Sequence, residues 1–316
     1  DKNVTTPYKF NGTVVTEIFG GAFAHTSVVS VSVSEGVTFI GEGAFTGSQL
    51  LEKITLPSTV TEINDGAFYG CSSLTSVTLP GSVERLGSCA FAQCSALNTI
   101  YLDNKLTEIG NSAFWGCTSL ESIDIPAGIT KIGYNLFGSC LSLISVSLPD
   151  TVTELDERAF KECTSLAYIT LPDSLLKIGN MAFLNCHSLR SVNIPDRLES
   201  IGEKAFFMCE SLNELEIPDG IISVGGDAFS DCVSVTVRST ISGKPLYKAV
   251  TATDGSSAYN FILRNIWDKG GFDFTAQDNY FPVLQDENLQ YAIAFSRLMY
   301  RVNLSAAAEE HYLDFL

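Results

Sequence analysis

Basic residues are scarce in this chain of 316 residues, and their scarcity excludes several kinds of partner. The chain has 19 lysines and arginines against 36 aspartates and glutamates, which gives a formal net charge of −17. Binding to nucleic acid needs a basic stripe, so we exclude nucleic acid as a partner. No apolar run approaches the roughly 20 residues of a membrane-spanning helix. Because 45% of the residues are hydrophobic and only 17% charged, the chain can still bury a core.

Residues that carry catalysis or bind metals are also few. The three histidines, His25, His187 and His311, lie far apart in the sequence. No nucleophile, base and orienting group converge on one motif, and there is no Cys-x-x-Cys pair of the kind that binds zinc. We therefore predict a protein that is not an enzyme and that needs neither a cofactor nor a metal.

A short block ending in phenylalanine recurs along most of the chain. Its ten copies are IFGGAF, IGEGAF, INDGAF, LGSCAF, IGNSAF, IGYNLF, LDERAF, IGNMAF, IGEKAF and VGGDAF. The first interval between their phenylalanines is 22 residues and the next eight are 23 residues each. The phenylalanines are Phe23, Phe45, Phe68, Phe91, Phe114, Phe137, Phe160, Phe183, Phe206 and Phe229. A constant period of this length is typical of a solenoid, in which stacked units share one core.

Within each unit, the residues before a recurrent proline alternate as a strand does. Val77 and Leu79 are apolar, whereas Ser76 and Thr78, which alternate with them, are polar. Pro80 ends the strand, because proline has no N–H for the ladder. Asp103 replaces the proline in one unit. We expect the phenylalanines Phe45 to Phe206 to pile up as the large packing element of the layers.

These blocks resemble the BspA-type leucine-rich repeat, whose unit reads roughly LxxIxLPxxVTxIGxxAFxxCxS. The match covers residues 14–235, about 70% of the chain. The resemblance implies a right-handed β-solenoid of about ten 23-residue repeats, with a parallel sheet along one face. It also implies frequent residence on microbial surfaces and, for some members, adhesion to host matrix proteins or other cells. We predict a solenoid domain over residues 1–240.

The repeat fails after Phe229, and helical periodicity then returns. We predict that residues 241–316 form a small helical cap, because an open solenoid end would expose a strand edge and apolar core. An independent binding module is the alternative for this segment. We expect residues 1–13 to form a frayed lead into the first repeat.

Eight of the nine cysteines follow a repeat phenylalanine by three residues. They are Cys71, Cys94, Cys117, Cys140, Cys163, Cys186, Cys209 and Cys232. Thr26 and Ser48 hold the place in the first two repeats, so the position wants a small side chain. We predict a ladder of buried free thiols that behave as small hydrophobes, since stacked parallel side chains suit a disulfide poorly. A bridged or metal-bound ladder is the alternative. Cys89 lies outside the ladder and is the thiol that we expect to be exposed.

Two solvent-facing columns should run along the sheet face. One column is Lys53, Ser76, Thr99, Ser122, Ser145, Tyr168, Ser191 and Glu214, and the other is Thr55, Thr78, Tyr101, Asp124, Ser147, Thr170, Asn193 and Glu216. Small hydroxyls dominate, which by itself describes a solvated sheet face. As a binding surface, the face would offer Tyr101, Tyr168, Asp124, Glu214 and Glu216, with the two tyrosines as anchors.

A column of aspartates follows the proline in four consecutive repeats: Asp150, Asp173, Asp196 and Asp219. Aspartate is favoured after proline in turns, so we interpret the column as turn chemistry. Stacked carboxylates repel one another, and a weak Ca²⁺ site that relieves the repulsion is the alternative. We do not expect Ca²⁺ as a partner.

Together these observations predict a non-enzymatic interaction protein with an adhesion-like role. Its partner would be a protein, of the host matrix or of another cell surface. A carbohydrate-binding surface protein that uses the two tyrosines is one alternative, and a spacer that presents the C-terminal segment is another. The resemblance places the protein outside the cell or on its surface; the chain carries no signal-like segment, so a signal or anchor would lie outside it.

Overall fold

The computed structural model describes residues 2–212, 214–218, 221, 223–229, 231–232 and 236–239. It is a parallel β-solenoid of about nine turns. The ten phenylalanine blocks of the sequence are separated by nine intervals, so the number of turns agrees with the number of intervals. The predicted helical cap, residues 241–316, lies outside the described residues. No helix in the described part is long and apolar enough to cross a membrane.

The first sheet is built from the strands that precede the proline. Its strands are Asn3–Thr5, Ser30–Ser32, Lys53–Thr55, Ser76–Thr78, Thr99–Tyr101, Ser122–Asp124, Ser145–Ser147, Tyr168–Ile169, Ser191–Val192, Glu214–Ile217 and Thr236–Ser239. They fall into four hydrogen-bonded groups, all parallel. The middle residue of each three-residue repeat strand points inward, as the alternation predicts; Val77 is one example.

The second sheet is built from two-residue strands at the VTEI-type positions. Its strands are Glu17–Ile18, Phe39–Ile40, Glu62–Ile63, Arg85–Leu86, Glu108–Ile109, Lys131–Ile132, Glu154–Leu155, Lys177–Ile178, Ser200–Ile201 and Ser223–Val224. They form two groups of five, which are interrupted between Glu108–Ile109 and Lys131–Ile132.

The Ala-Phe segment of each turn forms a third row of hydrogen bonds, which we call the Ala-Phe ladder. In one turn, the amides of Gly66, Phe68 and Gly70 donate to carbonyls of the next turn, each at 2.8 Å. The residues two before and two after each phenylalanine have positive φ. Most turns have a residue other than glycine at one or both places; Arg158 and Glu162 have φ of 61° and 63°. Side chains rarely adopt this conformation, so the ladder holds it in place.

The phenylalanines Phe23 to Phe229 lie in one column. Neighbouring rings are parallel to within 13°, and their centroids are 4.9 to 6.0 Å apart. From Phe45 onward the side chains are buried. Leucine, isoleucine, valine and alanine from the same turns complete one continuous core.

The expectation of a frayed lead over residues 1–13 is wrong. Asn3–Thr5 pairs in parallel with Ser30–Ser32 and extends the first sheet by one strand. Lys9–Phe10 and Thr13–Val14 then form an antiparallel hairpin around the Asn-Gly turn at Asn11. The segment lacks the consensus residues, so its strand was not visible in the repeat pattern.

Replacing Phe137 with alanine should lower the free energy of unfolding by about 3–5 kcal/mol, because the ring is fully buried between two others and would leave a cavity. Phe19→Ala is the matched control, since that ring is 74% exposed, and it should change stability by less than about 0.5 kcal/mol. Urea denaturation followed by circular dichroism measures both. Equal losses in the two variants would contradict the column as the main source of stability.

Candidate binding surface

The two tyrosines predicted as anchors both project from the first sheet. Tyr101 is 66% exposed and pairs in register with Thr78 of the preceding turn. Tyr168 is 56% exposed and pairs with Ser191 of the following turn. Three turns separate the two tyrosines, or about 15 Å at ordinary strand spacing. They are therefore separate projections from the first sheet and do not form a pair of rings.

Three acidic residues are predicted for the same face, and the structure describes the side chain of one of them. Asp124 is exposed in the turn after Tyr101, in the same column. Glu214 and Glu216 belong to the strand Glu214–Ile217, but their side chains lie outside the described residues. Asp124 is thus the one predicted acidic residue whose side chain the described structure places on this face.

Sequence reasoning missed two exposed apolar residues in the turn before Tyr168. Ile144 is 55% exposed directly before the strand Ser145–Ser147, one turn before Tyr168, and Leu141 is exposed in the same turn. We call Leu141, Ile144 and Tyr168 the apolar patch. The strand pattern considered only alternate positions, and Ile144 lies just outside it. Aligning the repeats would have found it, because the equivalent residues of other turns are Glu52, Thr75, Asn98, Glu121, Ala167 and Arg190.

The aspartate column runs along the proline corner. Asp150, Asp173 and Asp196 are all exposed, and Asp219 lies outside the described residues. Among the described residues, no three groups of the His, Cys, Asp or Glu type lie close enough together to hold a metal ion. The three described side chains are open to water, and the interpretation as turn chemistry stays a prediction.

An alternating row of charges crosses the second sheet, and sequence reasoning did not single it out. It consists of Glu62, Arg85, Glu108, Lys131, Glu154 and Lys177. Arg85 Nε lies 3.1 Å from Glu108 Oε2, and Lys177 Nζ lies 2.8 Å from Glu154 Oε1. Because opposite charges face each other across parallel strands, the row favours the observed register of the turns.

The second half of this row is the more tightly connected. Lys131 Nζ contacts both Glu154 Oε2, at 3.3 Å, and Asp156 Oδ2, at 2.9 Å. The hydrogen bond from Lys177 lowers the pKa of Glu154; partial burial opposes this effect and Lys131 adds to it. The hydrogen bond to Asp156 raises the pKa of Lys131. Ionised side chains are therefore favoured in the folded protein.

The comparisons with known proteins agree with this geometry. The family description "BspA type Leucine rich repeat region" matches residues 16–144 and 130–245. The chain belongs to the BspA-type leucine-rich repeat family. A search of curated proteins gives no match.

Several solved structures resemble this BspA-type protein. A leucine-rich repeat protein from Bacteroides ovatus is 24% identical over 79% of this chain and 82% of its own, with a TM-score of 0.55. The leucine-rich repeat protein of T. pallidum is 33% identical over 52% of this chain and 78% of its own, with a TM-score of 0.51. A leucine-rich cell surface protein from Faecalibacterium prausnitzii is 24% identical over 79% and 90%, with a TM-score of 0.45.

The cysteine column of the BspA-type repeat has a hydrogen-bonding role that its composition did not reveal. Each of its eight thiols donates to the carbonyl of the phenylalanine one turn back; Cys117 Sγ lies 3.2 Å from the oxygen of Phe91. Ser48 donates to Phe23 in the same way. The position therefore wants a small donor, which Cys, Ser and Thr share and alanine lacks.

The thiols of the cysteine column are not oxidised to disulfides, and their surroundings make them unreactive. The nine described cysteines form no disulfide, and the column is buried from Cys71 to Cys209. Burial raises the pKa of Cys140 to about 12, against the opposing backbone hydrogen bond. Since the thiolate is the nucleophile, this environment suppresses reaction. Cys89, outside the column, is half-buried.

Replacing Cys117 with alanine should cost about 1–2 kcal/mol of unfolding free energy, because the buried carbonyl of Phe91 loses its side-chain donor. Cys117→Ser should cost less, since Ser48 makes the equivalent bond in its own turn. Urea denaturation compares the two, with Cys89→Ala as a control outside the column. If serine and alanine were equally damaging, size alone would explain the position.

Replacing Glu154 with glutamine should lower stability at neutral pH by about 0.5 kcal/mol, the size of a solvent-screened ion pair. The folded-state pKa of Glu154 is lowered, so its contribution is present above the unfolded value of about 4.3 and is lost as pH falls through the folded value. Urea denaturation at pH 7 and pH 3 tests this, with Glu52→Gln as a control that has no ion pair among the described residues. A difference between wild type and Glu154→Gln that persists at pH 3 would contradict it.

Proposed function

We propose that this protein is a non-enzymatic scaffold that binds a protein partner through its first sheet. The observation that supports this proposal best is the apolar patch of Leu141, Ile144 and Tyr168. Large apolar side chains that remain exposed on or beside an otherwise hydroxyl-rich face are typical of interaction sites. Leucine-rich repeat proteins are in general binding scaffolds, which agrees with this role.

The surroundings of the patch suit an anchor that a partner covers. Ser145, Ser147 and Ser191 lie around Tyr168 on the same sheet, and their side chains are small and exposed. Small polar neighbours leave the ring accessible and can exclude water around it once a partner docks. Val146 and Ile169 of the same two strands are buried in the core, so these strands lose little freedom on binding.

Tyr101 and Asp124 would extend the contact surface toward the preceding turns. The three-turn separation between the tyrosines suits an extended protein surface better than one sugar ring. A glycan-binding site is therefore the less favoured hypothesis, since the aromatic rings of such sites lie close enough to contact one ligand at the same time. A role for residues 241–316 as a presented module remains a prediction.

The family resemblance leads us to propose a location on the microbial surface, with a host matrix protein or another cell as the partner. The catalytic possibilities that the thiols would offer are disfavoured, because the column from Cys71 to Cys209 is buried and donates to main-chain carbonyls. The proposal therefore depends on shape and surface chemistry and requires no reaction.

The double variant Tyr168→Ala, Ile144→Ser should weaken binding by at least about 30-fold, the effect of removing one strong anchor. The measurement is biolayer interferometry of the full chain against purified extracellular matrix proteins and against intact cells. Tyr8→Ala is the matched control, because Tyr8 is equally exposed but lies near the N-terminal hairpin. It should bind like the wild type.

Three outcomes would contradict this proposal. One is binding that the double variant leaves unchanged, and another is the absence of any partner in the panel. The third is binding that enzymatic deglycosylation of the partner abolishes, which would favour the carbohydrate-binding alternative. Circular dichroism of the variants would show that the fold is intact.

A further inference from the structure

One boundary between turns lacks the main-chain bonds that join the others. At the preceding boundary, the amide of Thr107 donates to Glu84 at 2.9 Å and that of Gly110 donates to Leu86 at 2.8 Å. One turn later the equivalent amides are those of Thr130 and Gly133. In the part of the chain that the structure describes, neither donates to the main chain of the turn before.

The first sheet is interrupted at the same place. Thr99–Tyr101 pairs back with Ser76–Thr78, and Ser122–Asp124 pairs forward with Ser145–Ser147, but the two do not pair with each other. The first sheet has two other interruptions, yet the second sheet is continuous at both of them. Among the described turns, this boundary alone interrupts both sheets.

Two kinds of side-chain link found at other boundaries are also missing there, although next to the Ala-Phe ladder the amide of Tyr134 donates to Asn111 Oδ1 at 3.1 Å. Glu108 and Lys131 are neighbours in the charge row but make no ion pair with each other; Lys131 turns toward Glu154 and Asp156. In other turns a hydroxyl two residues after the proline donates to the preceding turn, as Thr151 does to Ile129 at 2.7 Å. Gly128 holds that place at this boundary, and a Cβ there would lie 2.4 Å from the oxygen of Leu106.

The Ala-Phe side of the boundary, in contrast, is fully connected. The amides of Ser112, Phe114 and Gly116 donate across it at 2.9, 3.1 and 2.8 Å. The rings of Phe114 and Phe137 stack at 5.7 Å, and Cys140 donates to the carbonyl of Phe114. Bonds along one edge, with neither sheet joined, are the geometry of a hinge.

We propose that the rod consists of two rigid stacks that bend about the Ala-Phe ladder between Phe114 and Phe137. Bending would open and close the boundary on the side of the two sheets. Tyr101 precedes the hinge and Asp124 follows it, so the motion changes the distance between Tyr101 and the apolar patch. The hinge does not depend on the proposed binding role, since it rests on the connections within the rod.

The test compares two distances that span the same turns. Spin labels at Thr55→Cys and Ser147→Cys lie on the first sheet, and labels at Tyr69→Cys and Lys161→Cys lie on the Ala-Phe side. Each pair spans four turns, or about 20 Å. The full chain would carry Cys89→Ser and Cys232→Ser, because these two are the thiols that are not fully buried.

Pulsed electron spin resonance should give a distance distribution at least about twice as broad for the sheet pair as for the Ala-Phe pair. Gly128→Ala should shift the sheet pair to longer distances, because its Cβ meets the carbonyl of Leu106. Gly81→Ala is the matched control: its Cβ meets the movable carboxylate of Asp103, at 3.2 Å, and should leave the distribution unchanged. Equal widths for the two pairs would overturn the hinge.

Hydrogen exchange distinguishes bending from local unfolding. If the boundary bends, the amides of Thr107 and Gly110 keep their bonds to the preceding turn and stay protected. If the turn itself unfolds, both amides exchange as fast as those of Thr130 and Gly133. That second result would also overturn the hinge, even if the sheet pair gave a broad distribution.

Discussion

The hydrogen-bonded stacking of one turn on the next is the constraint on which this structure depends. A strand of two or three residues has no stability alone, and the interior of one turn is a single thin layer. Each layer becomes a core only when the next covers it, which requires the same residue at the same place every 23 positions. The fixed interval is therefore the condition under which Phe rests on Phe and a thiol reaches the carbonyl one turn back.

The fixed interval restricts which residues can occupy the interior columns, but it does not restrict those of the surface columns. The residue two before the phenylalanine is glycine in Gly43 and Gly66 but arginine in Arg158 and lysine in Lys204, although all four have positive φ. The ladder on both sides fixes the backbone there, so the side chain is not restricted to the residue that the conformation prefers. Sequence variety can accumulate on the outside without disturbing the stack, and this is where recognition can evolve.

The same division explains what the sequence could predict. The alternation around Val77, the column of phenylalanines and the small residue after them are interior features, and periodicity reveals them because every turn repeats them. Ile144 and the charge row around Glu154 are departures from the repeat or depend on neighbours one turn away, so a consensus averages them out. The donor role of the cysteines was hidden for another reason. Composition gives the size of a side chain, whereas the acceptor of its S–H depends on how one turn stacks on the next.

A one-dimensional stack also tolerates a weak boundary that a globular core would not. In a globular domain a lost contact loosens neighbours in every direction, but here each turn contacts only the two beside it. The missing links around Gly128 therefore weaken one boundary and leave the bonds of Thr107 and Gly110 in place. Selection for stability therefore acts on each boundary almost separately. One boundary can lack hydrogen bonds while the others keep their stability. Because the apolar patch lies on one side of this boundary and Tyr101 on the other, a partner that contacts both would itself supply the connection that the two sheets lack.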